Sequence, residues 1–255
     1  MKIGFIGTGT ISAAMVHGLQ LADPPHPVVL SPRSEAVSRA LSDRYPDVTV
    51  ATSNAAVAAQ SDIVVLGMRP AQVEEALAGV TFRPDHIVVS LVAGLALAEV
   101  QKRAPRSRAC RCVPLPGIAR RQGPVTLYPD VPEVSALLRP LGDLIVAASE
   151  TELNMGGLSA FMSSYFELQA ALIGRAVDAG VSEALARTYV TSLLAMLAET
   201  GRTAGDEAFP HLVAEHQTRG GLNERVRAHL LAQGWFDGPA TAFEAIASLN
   251  WRKLG

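Results

Sequence analysis

The chain is short of cysteine, of aromatic residues and of any surplus of one charge. Two cysteines in 255 residues, Cys110 and Cys112, cannot build a disulfide framework. At i and i+2 on a strand they point the same way, and a bridge between them is strained. C-x-C without further cysteine or clustered histidine is poor for zinc, and His17, His26, His86, His211 and His229 show no ligand spacing, so no metal is expected. Aromatic residues are 5% of the chain (7 Phe, 4 Tyr, 2 Trp), too few for platforms on which bases or sugars stack. Lys and Arg number 22 against 24 Asp and Glu, a net charge of −2, and no basic run appears. That excludes nucleic acid and anionic membrane surfaces as expected partners. The longest apolar stretch, around Ile87–Ala98, falls well short of the roughly 18 residues that a membrane span needs. Met1–Gly9 lacks a basic n-region and a cleavage site, and reads as a first strand and not a signal peptide. A cytoplasmic protein with a small-molecule partner is expected.

What is present is apolar: hydrophobic residues make up 49%, enough for a sizeable core. At about 100 to 200 residues per domain, the length suits one large domain or two modest ones. The character of the chain changes near residue 150. Before it, apolar runs alternate with helical patterns: Lys2–Ile6, Val28–Ser31, Val48–Ala51, Ile63–Gly67, His86–Leu91, Arg108–Val113, Val125–Leu127 and Leu144–Ala147. In Ile11–Ala22 the residues Ile11, Ala14, Met15, Gly18 and Leu19 share one stripe. Continuous apolar strands separated by helices predict a mostly parallel sheet covered on both faces. After Glu150 the pattern is helical throughout: Tyr165–Ala179, Ser182–Thr200, Ala208–His216, Asn223–Gln233 and Pro239–Leu254. Val190, Leu193, Leu194 and Leu197 form one stripe of the second of these, while Tyr189 and Met196 lie off it. Five helices are too few to surround a helix so apolar, which predicts a partner chain.

The first predicted strand runs into Gly7-Thr8-Gly9-Thr10-Ile11-Ser12, a G-x-G-x-x-S variant of the dinucleotide fingerprint, and a helical pattern follows at once. Gly7 allows the tight turn, Gly9 lets the backbone approach a pyrophosphate, and Ser12 is small enough for the helix to lie against the sheet. Exposed N–H groups around Gly7, Thr8, Gly9, Thr10 and Ile11, with the helix dipole, would hold the negative charge. An NAD site places Asp or Glu at the end of the second strand, for the ribose 2′-hydroxyl. Here Ser31-Pro32-Arg33-Ser34 stands there, with no acid until Glu35. A guanidinium flanked by hydroxyls suits a 2′-phosphate, so NADP is expected over NAD. The other reading of Arg33 is an ordinary loop residue before a helix that Ser34 caps.

With these residues in view, the chain resembles the pyrroline-5-carboxylate reductase family. Lys2–Gly9 is similar to its opening, and Ser31 with Arg33-Ser34 to its 2′-phosphate loop. Asn54 stands where the family has an asparagine near the adenine. Met68-Arg69-Pro70 resembles its turn after the fourth strand, with Arg69 for lysine. Ser90–Leu95 resembles the segment whose backbone, here Ala93 and Gly94, lies near the nicotinamide. In the second half, Thr218-Arg219-Gly220-Gly221-Leu222-Asn223 is similar to a loop whose N–H groups and hydroxyl grip the substrate carboxylate, in a site completed across a dimer. The resemblance implies that Gly220, Gly221, Leu222 and Asn223 bind substrate. Two adjacent glycines before a helix also make a natural carboxylate nest, or a plain connecting turn.

The chain departs from the family in its substrate half. Val113-Pro114-Leu115-Pro116-Gly117 lacks the two polar groups that the family carries after the sixth strand. Ser159–Tyr165 replaces a glycine- and serine-rich run, and an insertion around Gly205-Asp206-Glu207 lengthens the region before Thr218. Beside Asn223, the groups that could supply a proton to nitrogen or oxygen are His216 and Tyr165. Their other reading is a helix-surface histidine and a packed tyrosine.

The expected fold class is therefore α/β: a Rossmann-type doubly wound parallel sheet (1–149), then an all-α dimerisation and substrate domain (150–255). The expected activity is hydride transfer from NADPH to the C=N bond of a cyclic imino acid. Two alternatives stay open: another imino or keto acid substrate, and a non-catalytic NADP-binding regulatory protein. The expected assembly is a homodimer or a dimer-based higher oligomer.

Overall fold

A computed structural model describes residues 1–205 and 209–247. All eight expected strands form: β1 (Ile3–Ile6), β2 (Val28–Leu30), β3 (Val48–Val50), β4 (Ile63–Leu66), β5 (Ile87–Ser90), β6 (Arg108–Pro114), β7 (Pro124–Tyr128) and β8 (Asp143–Val146). Between them lie α1 (Thr10–Gln20), α2 (Glu35–Arg44), α3 (Asn54–Ala59), α4 (Val73–Leu77), α5 (Leu97–Arg103) and α6 (Pro132–Leu138). They make one sheet in the order β3-β2-β1-β4-β5-β6-β7-β8. Neighbouring strands run parallel except β6 and β7, which pair antiparallel. The reason is the connection: only a 3-10 turn at Pro116–Arg120 and a short loop join β6 to β7. Without a crossover helix the chain must come straight back.

The strands alternate their side chains between two cores. Ile3 and Phe5 of β1 join Met15 and Leu19 of α1, and Val134 and Leu138 of α6, on one face. Ile6, with Val64 and Leu66 of β4, packs on the other face against Val57 of α3, Val73 of α4 and Val100 of α5. Each fully buried side chain of this kind stabilises by about 1.5–3 kcal/mol. Strands buried on both faces read as unbroken apolar runs, which is why the sequence displays them so plainly. Cys110 and Cys112 are buried free thiols in the first core, on one face of β6 as their spacing requires. Burial pushes the Cys110 thiol up to about 12 and that of Cys112 higher still, so neither is a nucleophile at neutral pH.

After β8 come α7 (Glu150–Leu153), α8 (Met162–Asp178), α9 (Glu183–Thr203), α10 (Phe209–Glu215), α11 (Leu222–Ala232) and α12 (Gly238–Ala247). The compact units divide after Leu158, later than the change in sequence character, with Ser159 opening the second. The short α7 stays with the sheet because Glu150 accepts the Leu97 N–H at 2.8 Å and pairs with Arg111 of β6. In the second unit α8 packs against α9. The expected stretch beyond Ala247, and Asp206, Glu207 and Ala208, lie outside the described residues. Among the described residues no helix is long and apolar enough to cross a membrane.

Candidate functional site

The doubly wound order places β1 between β2 and β4, and the chain reverses its winding there. In such sheets ligands bind beyond the carboxyl ends of the strands at that point. Four of the expected segments gather along that edge: Gly7–Ile11 follows β1, Ser31–Ser34 follows β2, Gly67–Pro70 follows β4, and Ala93-Gly94 lies beyond β5.

Gly7 sits at φ +93°, in the left-handed region. A Cβ there would lie 2.8 Å from the carbonyl carbon and oxygen of Gly67 and 2.9 Å from the Met68 nitrogen. The turns after β1 and β4 thus close on each other with room for glycine alone. Gly9 caps α1 without a side-chain hydrogen bond, and the Ala13 N–H is the first to reach back, at 2.9 Å from the Gly9 oxygen. The N–H groups of Thr10, Ile11 and Ser12 therefore have no acceptor within the helix. Gly9 and Thr10 are exposed and Ile11 is half-buried, so the first two of these donors open to solvent. Ser12 is buried and its Oγ has no hydrogen-bond partner. This orphaned hydroxyl, directly under the helix start, passed in the sequence for a packing residue only.

The loop after β2 divides its labour. Ser31 is fully buried; its Oγ accepts the Gly7 N–H at 3.0 Å and lies 3.3 Å from the Thr8 Oγ1. The serine and Thr8, which is also buried, brace the turn from behind. Arg33 and Ser34 face outward: the Arg33 Nη1 is 3.1 Å from the Glu75 carboxylate of α4, and Ser34 caps α2 without a side-chain bond to it. Asn54 donates from Nδ2 to the Ala76 oxygen at 2.8 Å, tying α3 to α4. Met68 packs against the second core, while Arg69 and Pro70 are exposed at the start of a 3-10 turn. Ala93 and Gly94 are exposed, Gly94 at φ +69° with open space where a Cβ would project. Open N–H donors with an orphaned hydroxyl beneath them, and a guanidinium at the next loop, fit a dinucleotide that carries a 2′-phosphate.

In the second unit the expected substrate residues are bonded to one another. The Asn223 Nδ2 donates to the His216 carbonyl at 2.8 Å, and the His216 Nδ1 lies 2.8 Å from the Leu212 oxygen. Gly220, at φ +73°, donates its N–H to the Glu224 carboxylate at 2.5 Å. The Gly221 N–H donates to the Thr218 oxygen at 2.7 Å. Both glycine donors of the expected carboxylate nest are thus used inside the loop, one of them by a carboxylate of the chain itself. Leu222 is exposed. Tyr165 packs its ring edge-on to Phe166, 5.9 Å between centroids, and makes no hydrogen bond to His216 or Asn223.

Sequence reasoning missed the ion pair of Arg111 with Glu150, 2.7 Å long, in which the arginine side chain is only 10% exposed. Arg111 stands in register with Ser90 at the end of β5. The Leu97 N–H first, and then Arg111, hold the Glu150 carboxyl below its usual range. An arginine inside the apolar run Ala109–Val113 was the available signal. Among the described residues no group of His, Cys, Asp and Glu could hold a metal ion.

Comparison with known proteins agrees with this geometry. Residues 2–94 match a family model described as NADP oxidoreductase, coenzyme F420-dependent. A pyrroline-5-carboxylate reductase of Pseudomonas aeruginosa is 28% identical over 204 residues, 75% of this chain and 73% of that protein. A reductase of the same name from Streptococcus pyogenes superposes with a TM-score of 0.82 at 22% identity, covering 96% of each chain. A Plasmodium falciparum pyrroline carboxylate reductase solved with NADP bound gives 0.82 at 17% identity, covering 96% of this chain and 95% of that one. The chain is thus similar in sequence, over three quarters of its length, to a pyrroline-5-carboxylate reductase, and it shares its fold over nearly all of its length with solved reductases of that name.

Proposed function

We propose that the chain is an NADP-dependent oxidoreductase that reduces the C=N bond of a cyclic imino acid. The observation that carries the reading is the convergence of four loops at the carboxyl edge of the sheet, around an α1 start whose donors are open. The N–H groups of Thr10 and Ile11 hold the pyrophosphate, with Gly7 and Gly9 giving the backbone its approach. Arg33 and Ser34 hold the 2′-phosphate, Asn54 and Met68–Pro70 border the adenine half, and Ala93-Gly94 seat the nicotinamide. The reduced nicotinamide, when bound, supplies the hydride that the imine carbon takes. A protonated imine already carries the proton that its nitrogen keeps, so the chain needs only to position the two partners within near-attack distance. That frees His216 and Tyr165 from an obligatory acid role.

On the substrate side, the resemblance puts the imino acid at Gly220–Asn223, although both glycine N–H groups are taken up within that loop. Glu224 works against a substrate carboxylate at that loop, which favours a second reading: the same chemistry on a different imino or keto acid. A like charge about 5 Å away near a protein surface costs on the order of 1 kcal/mol or more. Glu224→Gln is therefore expected to lower KM for a carboxylated imine about fivefold with kcat little changed. An unchanged KM would move the substrate carboxylate to another part of the chain.

The reading as a whole is tested by following NADPH absorbance with pyrroline-5-carboxylate and a panel of other imines and keto acids. Fast oxidation with pyrroline-5-carboxylate supports the reading, and turnover confined to other members of the panel supports the second. Cofactor binding without turnover of anything in the panel would make the chain a sensor.

We also infer a homodimer built on the helical unit, working in the cytoplasm. The support is α9, where only Ala186 and Val190 are buried, while Leu185 and Tyr189 are 62% and 68% exposed and Met196 and Leu197 stand open. An apolar surface of this extent asks for a cover, and a second copy offers the same helix in return. Two buried thiols kept apart suit a reducing compartment. The solution mass at micromolar concentration is expected to be twice that of one chain or a higher even multiple; a mass of one chain would remove the dimer.

A further inference from the structure

A carboxylate does stand beside the ribose end of the proposed cofactor cradle, but it comes from α4 and not from the end of β2. The Glu75 Oε2 lies 3.1 Å from the Arg33 Nη1. The other carboxylates nearby are committed elsewhere. Glu35 is paired with Arg39 one turn along α2, and Glu74 with Arg103, which also binds Glu99. Glu75 thus shares the arginine meant for the 2′-phosphate. The Asn54 bond to the carbonyl of Ala76, the next residue, fixes that end of α4 against α3, so the carboxylate is presented from an anchored position.

Two ligands meet this pair differently. A 2′-phosphate dianion must share the guanidinium with Glu75 or displace it, and in either case sits near a like charge. A free ribose 2′-hydroxyl can donate to a carboxylate, as in NAD sites, and accept from the arginine at the same time. We propose that Glu75 is a specificity-determining residue of the cofactor site: it holds down the preference for NADPH and lets the same cradle accept NADH. The proposal rests on the dinucleotide reading of this cradle and assigns to Glu75 the discrimination between the phosphorylated and non-phosphorylated cofactor.

The experiment is a fluorescence titration of the full-length protein with NADPH and with NADH, for the wild type, Glu75→Gln and Arg33→Ala. Competition by adenosine 2′,5′-bisphosphate and by adenosine 5′-monophosphate reads the ribose end alone. The expected wild type binds both cofactors, NADPH the tighter. Glu75→Gln is expected to tighten NADPH and the bisphosphate threefold to tenfold and to weaken NADH severalfold, with an unchanged melting temperature because the pair is exposed. Arg33→Ala should move the other way, weakening NADPH tenfold or more and NADH little. Equal changes in both cofactors on Glu75→Gln, or none, overturn the proposal while leaving the dinucleotide reading intact. A wild type that binds neither cofactor overturns that reading, and the proposal with it.

Discussion

Gly7→Ala is expected to lower NADPH affinity by a hundredfold or more and to destabilise the first unit by about 3 kcal/mol. Two costs combine. A residue with a Cβ in the left-handed region loses about 1–2 kcal/mol. The new methyl also meets backbone, not a side chain that can swing away: Gly67 carbon and oxygen at 2.8 Å and the Met68 nitrogen at 2.9 Å. Either the turn after β1 or the one after β4 must retreat, and both border the proposed cradle. A hundredfold loss is about 2.7 kcal/mol of binding. Gly79→Ala is the control, since Gly79, just past α4 and outside the proposed cradle, has φ +74° but nothing within 4 Å of its Cβ position. It should show only the smaller conformational cost. Titration with NADPH and a thermal melt of both variants make the comparison, and wild-type affinity in Gly7→Ala would mean that the cofactor does not lie over this turn.

Much of the fold was legible because its strands are buried on two faces. Ile63–Leu66 is apolar from end to end, as is β5 up to its last residue, so each strand announces itself without help from its neighbours. Strand direction was harder. A sequence shows β6 and β7 as two apolar runs, and their antiparallel pairing depends on Pro116–Arg120 making a turn too short to cross over. The exposed apolar face of α9 could be read from its own residues, since too few helices follow to cover it.

The site was legible where backbone conformation dictates residue type, and obscure where distant side chains meet. Gly7 is required by the turn, at φ +93° with no room for a Cβ, whereas a Cβ at Gly9 would meet only the Gly67 oxygen at 4.0 Å. The role of Ser31 was not readable, because its choice of the Gly7 N–H depends on how far β2 extends past the turn. Glu75 lies 42 positions beyond Arg33 and Glu150 lies 39 beyond Arg111. No local pattern pairs them; the sheet does, by bringing segments distant in sequence side by side. The Gly220-Gly221 loop shows the opposite limit. Its composition advertises a nest, and only the three-dimensional path reveals that Glu224, four residues on, already reaches into it.

Glu150→Ala is expected to cost the first unit about 2–4 kcal/mol at neutral pH. Removing one partner of a buried pair typically costs 3–5 kcal/mol, because the remaining charge is left without compensation. The lower range here reflects the Glu150 side chain, which keeps 35% of its surface in water, while Arg111 keeps only 10%. The Leu97 N–H at the start of α5 loses its acceptor as well. The pH dependence follows from the direction of the shift. The carboxyl is held below its usual range in the folded chain, first by the Leu97 N–H and then by Arg111. Its contribution is therefore complete above the ordinary glutamate pKa of about 4.3 and is lost as pH falls through the lower, folded value. Glu150→Gln keeps an acceptor for Leu97 but not the charge, and should fall between wild type and alanine. Urea unfolding from pH 7 down to pH 3 should show the gap between wild type and Glu150→Gln constant near neutrality and closing in acid. A gap that persists undiminished at pH 3 would mean that packing around α7, and not the ionised pair, is what Glu150 contributes.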